Sequence, residues 1–222
     1  SDIGAATGAL RPLPQDPTMN EIPTNHDPAP TSAPLPPDEA RRHAVLLDLT
    51  LLDTPPQASF DRITRMATHL FKVPIALVSL VDTDRQWFKS RVGVALTETP
   101  RSVSFCAHAI LQDDVMVVRD ARADARFANN PLVRGETAAR FYAGSPIDIG
   151  DGMRIGTLCI IDSVPREFSD TDRAMLRDLA GMVAGEIATI ELRAACERER
   201  SSARALRTLL EHLPDAVLLL DA

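Results

Sequence analysis

The chain has 222 residues, of which 45% are apolar, 25% charged and 4% aromatic, and its formal net charge is −7. This composition is typical of a globular protein, and the acidic balance argues against duplex-DNA binding, which needs a basic face. No apolar run approaches the roughly 20 residues of a membrane-spanning helix, and the N-terminus lacks a signal-peptide pattern. Three cysteines cannot all pair within one chain. We therefore expect a reduced, cytoplasmic protein with no nucleic-acid or membrane partner.

Residues 1–37 are expected to form a disordered tail. The segment holds nine of the seventeen prolines and has no Phe, Tyr or Trp. Such a composition buries too little apolar surface to offset the entropy lost on ordering.

The pattern changes after residue 37. Helices are predicted over 38–52 and 57–71, with Pro55 and Pro56 separating them. A nearly continuous run of apolar residues then predicts a strand over 74–81 that is buried on both faces. Residues 86–92 are expected to be its hairpin partner.

The middle of the chain is predicted to alternate short elements. A short helix is expected over 105–111, a strand over 115–119 and a long loop over 120–137. Two further strands, 140–147 and 153–161, flank a Gly-Asp-Gly turn that is typical of a hairpin. The sheet is therefore expected to be mostly antiparallel.

The last predicted element is a helix over 169–212. Ser169 is a suitable N-cap, and Asp172 lies three residues later, close to a capping box. An apolar seam that includes Leu179 and Ile187 gives way to charged residues after about residue 190. A helix that extends beyond its own domain needs a covering surface, and a second copy of the helix is the usual one.

Several sequence blocks resemble the GAF domain family and occur in the expected order over roughly residues 40–190. They are LDTPP (52–56), FDRI (60–63), PIALVSLVD (74–82), RQWFKS (85–90), SFCAH (104–108), FYAG (141–144) and GTLCIID (156–162). The final residues, LLEHLPDAV (209–217), resemble the opening of a PAS domain. The resemblance divides the chain into the tail, a GAF domain (38–190), a coiled-coil-like helical linker (191–212) and the start of a PAS domain (213–222).

The resemblance implies an α+β fold with an antiparallel sheet of five to six strands. Its N- and C-terminal helices would cover one face and form a homodimer, and a small-molecule pocket would lie on the other face. The implied role is sensory: a signal would pass through the C-terminal helix to a PAS domain and a diguanylate cyclase or histidine kinase output. A cyclic nucleotide is one possible ligand. A bilin is not expected, because residues 120–137, where photoreceptor members of the family carry the attaching cysteine, contain none. Haem is not expected either, and His108 is the only candidate for its axial ligand in the implied pocket.

The candidate ligand-binding residues combine aromatic rings, thiols and charges that would line such a pocket. Arg140 could bind an anion, and Phe127 or Tyr142 could stack on a purine. The loop charges could instead form internal ion pairs on a solvated surface. The full set is Trp87, Phe105, Cys106, His108, Asp124, Phe127, Arg140, Tyr142 and Cys159.

Metal binding and catalysis are the alternatives to small-molecule binding at these residues. Cys106 and His108 would diverge by about 200° on a helix, which disfavours a shared metal, and no catalytic constellation is visible. One alternative is a GAF-type free methionine sulfoxide reductase that uses Cys106, with Cys159 as a partner thiol. Another is a ligand-free dimerisation module, in which large side chains would fill the space between Trp87, Phe105, Phe127 and Tyr142.

Overall fold

The structure is a computed structural model that describes residues 31–211, with side chains described up to residue 208. The tail before residue 31 and the PAS-like residues 213–222 therefore lie outside the described residues. The elements are α1 (Glu39–Asp48), α2 (Ala58–Phe71), β1 (Ile75–Val81), β2 (Arg85–Val92), β3 (Glu98–Pro100), a 3-10 turn (Arg101–Val103), α3 (Phe105–Ala109), β4 (Met116–Val118), α4 (Pro131–Arg134), β5 (Phe141–Asp148), β6 (Arg154–Asp162) and α5 (Asp170–Glu211).

The six strands form one sheet in the order β3-β2-β1-β6-β5-β4, and every neighbouring pair is antiparallel. The predicted α+β fold with a five- to six-stranded antiparallel sheet and a long C-terminal helix is confirmed. Strand β3 and helix α4 were not predicted. Helix α1 ends at Asp48 rather than at residue 52, and Thr50 and Asp53 beyond it take left-handed backbone angles.

Alternation along the central strand separates two apolar cores. In β1, Val78 and Leu80 pack towards α1, α2 and α5, whereas Ile75 and Leu77 point to the opposite face, which α3 and the following loop cover. Every residue of β1 is buried. This double burial explains the continuous apolar run in the sequence.

Helix α5 leaves the domain part-way along its length. Ser169 caps it as predicted: its Oγ accepts from the backbone N–H of Asp172, and Asp172 Oδ2 accepts from the N–H of Ser169. Its buried residues end at Ile187, and positions 191–208 are exposed. No helix within 31–211 combines the length and apolar character needed to cross a membrane.

Candidate functional site

Three aromatic rings fill the space between the sheet and α3. Phe105 of α3 stacks on Phe127 with centroids 4.0 Å apart and on Tyr142 of β5 at 5.1 Å. All three side chains are almost completely buried. We call Phe105, Phe127 and Tyr142 the aromatic cluster. It occupies the face where the family resemblance placed a ligand pocket.

Short polar contacts hold the cluster in place. The Ser104 hydroxyl accepts a hydrogen bond from the Ala107 N–H, which starts α3 and places Phe105 towards the sheet. The Asn130 side chain donates to the Val103 carbonyl at 2.9 Å and accepts from the Leu132 N–H, so it ties the loop after Phe127 to the start of α3.

Two thiols lie beneath the cluster. The sulphur atoms of Cys106 and Cys159 are 3.7 Å apart, and the Tyr142 hydroxyl donates to the Cys106 sulphur at 3.5 Å. Burial opposes ionisation of Cys106, but donors from Cys159, Thr157 and Tyr142, among others, outweigh it and lower the Cys106 pKa. The shared hydrogen bond with Cys106 and burial raise the pKa of Cys159. Both cysteines are free and buried.

A buried glutamine between the sheet and the start of α3 was missed from the sequence. Gln86 accepts hydrogen bonds from the hydroxyls of Ser104 and Ser79, and its amide donates to Thr99 Oγ1 at 2.6 Å. These contacts link β1, β2, β3 and the cap of α3. The one sequence signal was a long amide directly before Trp87 and Phe88 in a predicted strand.

His108 is covered by the chain that precedes α1. Its Nε2 donates to the Thr31 carbonyl at 3.1 Å, and its ring meets Phe127 edge-on. Burial lowers the His108 pKa. Ala33 also packs on this side of the sheet. Residues 31–33, which we expected to belong to the disordered tail, therefore have defined contacts with the domain.

The charged loop residues pair with one another. Arg126 binds Asp124 with an N–O distance of 2.7 Å, and Arg140 forms two hydrogen bonds to Asp120, the shorter at 2.6 Å. Asp124 and Arg140, both candidate ligand contacts, are thus already engaged. The loop matches the alternative in which internal ion pairs hold a partly exposed surface.

Trp87 lies on the opposite face of the sheet from the other candidates, so its assignment to the same pocket is corrected. It packs in the core under the helices, whereas the next residue, Phe88, faces the aromatic cluster. The reason is strand alternation, and the register then shifts at Lys89, which has no cross-strand partner. Lys89 Nζ is buried near Trp87 and donates to Thr54 Oγ1 at 2.6 Å.

No cluster of three or more His, Cys, Asp or Glu side chains able to hold a metal ion occurs in the described part of the chain. The site residues that the structure brings together are Phe105, Cys106, His108, Phe127, Tyr142 and Cys159. Asp124 and Arg140 lie in ion pairs at its border.

Comparison with known proteins identifies the family of this chain and a relative. The family model described as "GAF domain" matches residues 55–187. A cyclic di-GMP phosphodiesterase from Pseudomonas aeruginosa is 44% identical over 158 residues, which are 71% of this chain and 27% of that protein. The chain thus spans about a quarter of the length of this curated relative.

Solved structures share the fold at low sequence identity. A free methionine-R-sulfoxide reductase from Neisseria meningitidis, solved in complex with its substrate, has a TM-score of 0.51 and 19% identity, covering 74% of this chain and 99% of that one. The GAF domain of an Acinetobacter phosphoenolpyruvate-protein phosphotransferase also scores 0.51, at 15% identity, covering 70% and 98%. These similarities support the fold alone.

Proposed function

This chain belongs to the GAF domain family, and from that premise we propose that it is the regulatory domain of a longer bacterial signalling protein. In this proposal, residues 38–190 form the regulatory unit, and residues 191–212 form a helical linker that passes the signal to a PAS domain beginning near residue 213. The N- and C-terminal helices pair with those of a second copy. The aromatic cluster stabilises the domain.

The observation that carries this proposal is the length of α5 relative to its packing. The helix has 42 residues, or about 63 Å at 1.5 Å per residue. Its contacts with the domain core end near Ile187, and the described side chains from residue 191 onward are exposed. Isolated helices gain little stability in water, so a second helix is the natural support for this projecting half.

A second copy of the chain is the proposed partner of the helical face. Helices α2 and α5 pack against each other, and they expose Met66, Leu70 and Met182 to about half of their full extent. Large apolar side chains that are exposed on adjacent helices favour an interface between subunits.

Light scattering during size-exclusion chromatography tests this dimer. We expect twice the chain mass for the unaltered protein and a shift to the single-chain mass for Met66→Glu. The matched control is Val164→Glu, because Val164 is a similarly exposed apolar residue outside the helices. A single-chain mass for the unaltered protein at tens of micromolar would contradict the proposal.

The proposed output is cyclic di-GMP hydrolysis. This part of the proposal is supported by the 44% identity to a cyclic di-GMP phosphodiesterase, of which the matched segment is about a quarter. Diguanylate cyclase or histidine kinase activity is the alternative output. In each case the reaction belongs to residues beyond the regulatory domain.

Deletions in α5 of the longer protein test whether this helix transmits the signal, because they change the rotation of the downstream part about the helix axis. Deleting residues 195–196 rotates everything beyond by about 200°, whereas deleting 195–201 removes one heptad and nearly preserves the phase. We expect the two-residue deletion to alter the rate of cyclic di-GMP hydrolysis strongly and the longer, seven-residue deletion to leave it near the unaltered value. Equal effects of the two deletions would argue against α5 as the carrier of the signal.

The aromatic cluster fills the face on which a ligand would bind. This filling supports signal transmission without a bound small molecule. A cyclic nucleotide on this face would require Phe105 and Phe127 to separate, with the loss of their 4.0 Å stacking contact. Mass spectrometry of the native protein tests this point. We expect the mass of two chains and no added ligand, whereas a discrete extra mass would identify a ligand-binding sensor.

A second candidate function is methionine sulfoxide reduction, favoured by the 3.7 Å separation of the Cys106 and Cys159 sulphurs. The Cys106 thiolate would attack the sulfoxide sulphur, and Cys159 would complete a disulfide, releasing methionine and water; an external dithiol would then reduce the disulfide. The burial of both thiols opposes substrate access. Activity that is present in the unaltered chain and absent from Cys106→Ser would establish this function.

A further inference from the structure

Helix α5 has an exposed face that points away from the domain along both of its halves. Leu176 is fully buried against the core, and Gly185 follows it by nine residues, or about two and a half turns, which places Gly185 on the opposite face. Gly185 is exposed, and a Cβ atom built on it would have no neighbour within 4 Å. The outward face is therefore open where α5 packs on the domain, and it stays open along the projecting half.

Apolar and small residues follow this outward face in two rows, each with a step of seven residues. One row begins at Met182 and includes Cys196, and the other begins at Gly185 and includes Leu192. The resulting spacing of three and four residues is the one that keeps two helices in contact as they wind around each other. We call the exposed apolar and small members of both rows the outer stripe; they are Met182, Gly185, Leu192, Cys196, Ala203 and Leu206.

The outer stripe is continuous with the apolar patch of the proposed dimer. Met182 belongs to both, and α2, which packs on α5, exposes Met66 and Leu70. A stripe that repeats every seven residues can pair with an identical stripe, because each residue can face its own copy across the axis of a two-fold dimer. These two features favour a second α5 as the partner of the outer stripe.

Charged residues beside the outer stripe favour a parallel pair over an antiparallel one. Arg193 and Arg200 directly follow Leu192 and Glu199, so both arginines lie on the same flank of the stripe. In an antiparallel pair this flank would meet the same flank of the other helix, and arginines would face arginines. In a parallel pair it meets the other flank, where Ala195 is uncharged, and Arg200 lies beside Glu199 of the second copy.

We infer, on the basis of the proposed dimer, that two α5 helices pair in parallel and in register along the outer stripe, with Cys196 facing Cys196 of the second copy. The axes of packed helices lie about 8–10 Å apart, and each Cα atom lies about 2.3 Å from its axis. Cα atoms that face each other across the stripe are then roughly 5 Å apart, a separation that a disulfide can span. The two Cys196 thiols can therefore be joined without moving the backbone.

Oxidative cross-linking of the 222-residue chain with diamide tests this register. Diamide takes two electrons and two protons from a pair of thiols, so one S–S bond forms and the N=N bond of the reagent is reduced to a hydrazine. We expect the unaltered chain to form a covalent dimer and Cys196→Ser to form none, because Cys106 and Cys159 are buried. Non-reducing gels, run after the remaining thiols are blocked, measure the rate.

Two further variants move the exposed thiol along and around the helix. Cys196→Ser combined with Ala203→Cys keeps it in the outer stripe, one heptad further on, and should cross-link at a rate similar to that of the unaltered chain. Cys196→Ser combined with Ser201→Cys is the matched control, because Ser201 is equally exposed but lies away from the stripe. This control should cross-link at least tenfold more slowly.

The pair of positions 196 and 203 distinguishes the two orientations. In a parallel pair both positions face their own copies, whereas an antiparallel pair can bring at most one of them opposite its copy. Fast cross-linking at only one of these positions, at neither, or equally fast cross-linking of the Ser201→Cys variant would overturn the inference.

Light scattering of the same samples before oxidation separates failure of the register from failure of the proposed dimer. A two-chain mass without fast cross-linking at both positions would contradict the parallel, in-register pairing alone. A single-chain mass would contradict the proposed dimer and the inference together. The substituted residues are all exposed, so these variants are expected to fold, which circular dichroism checks.

Discussion

A Cβ atom built on Gly156 would lie 2.0 Å from the carbonyl oxygen of Ser79, which is a backbone atom of the neighbouring strand. Gly156 pairs with Leu80 in the antiparallel register of β1 and β6 at the centre of the sheet. Neither backbone can yield without disturbing two buried cores. We therefore expect Gly156→Ala to lower the free energy of unfolding by about 2 kcal/mol or more, measured by urea denaturation.

Gly181→Ala is the matched control. This glycine lies in α5, and a Cβ there would have no neighbour within 4 Å. Because alanine favours helix over glycine, the change should raise the free energy of unfolding by up to about 1 kcal/mol. Equal stability of Gly156→Ala and the unaltered chain would show that β1 and β6 are less closely packed than the structure indicates.

The free energy of unfolding should depend on pH through the carboxylate of Glu39. Burial acts to raise its pKa, but hydrogen bonds from Arg42 and Arg101 lower it from 4.5 to about 2. A depressed carboxyl pKa stabilises the folded state fully above pH 4.5, and this stabilisation is lost as the pH falls towards 2. We expect Glu39→Gln to cost about 2 kcal/mol at neutral pH, with the difference from the unaltered chain shrinking across that window.

Glu167→Gln serves as the control for this pH series. Glu167 is 81% exposed, and its partner Arg119 is exposed as well, so the variant should stay within about 0.5 kcal/mol of the unaltered chain at every pH. Chemical denaturation from pH 7 to pH 2 gives both curves. A Glu39→Gln difference that did not change below pH 4.5 would argue against the paired carboxylate.

The two halves of α5 should respond differently to the same substitution. Leu176 is fully buried against the domain, so Leu176→Ala should reduce the free energy of unfolding by about 3 kcal/mol through lost burial and a residual cavity. Leu192 is 66% exposed, so Leu192→Ala should cost less than about 0.5 kcal/mol within one chain. Denaturation at low protein concentration measures both. A large effect at Leu192 under those conditions would mean that the distal half packs on its own domain.

Much of the fold could be predicted from the sequence because burial imposes regular patterns of apolar residues. The apolar run that became β1 reflects two cores meeting at one strand, and the Ser169 cap identified the start of α5 to within one residue. Strand β3 was missed because it has three residues and ends in a proline. Its position depends on pairing with β2, a contact that local sequence does not encode.

The candidate site was only partly predictable, because it too depends on contacts between distant segments that local sequence does not encode. Rare aromatic residues identified Phe105 and Tyr142 as candidates, but the pattern in β2 could not tell which face Trp87 would occupy. The Glu39–Arg101 ion pair joins residues 62 positions apart. Neither residue stands out in its own segment, so only the folded structure brings the charges together.

Thiol reactivity should distinguish the three cysteines. Cys106 and Cys159 are buried beneath the aromatic cluster, whereas Cys196 lies exposed on the distal half of α5. Although its pKa is lowered, Cys106 reacts only if a reagent reaches it. We therefore expect a bulky aromatic disulfide reagent to modify one thiol per native chain quickly and all three after denaturation, as followed by thiolate release.

Cys196→Ser provides the control, because it should abolish the fast native reaction and leave two equivalents after denaturation. Rapid modification of two or three thiols in the native chain would mean that the aromatic cluster opens readily. Such opening would expose a closely spaced thiol pair to substrates and would shift the balance from a transmission module towards the reductase. Slow modification would instead indicate that the stacked Phe105 and Phe127 rings keep this face closed.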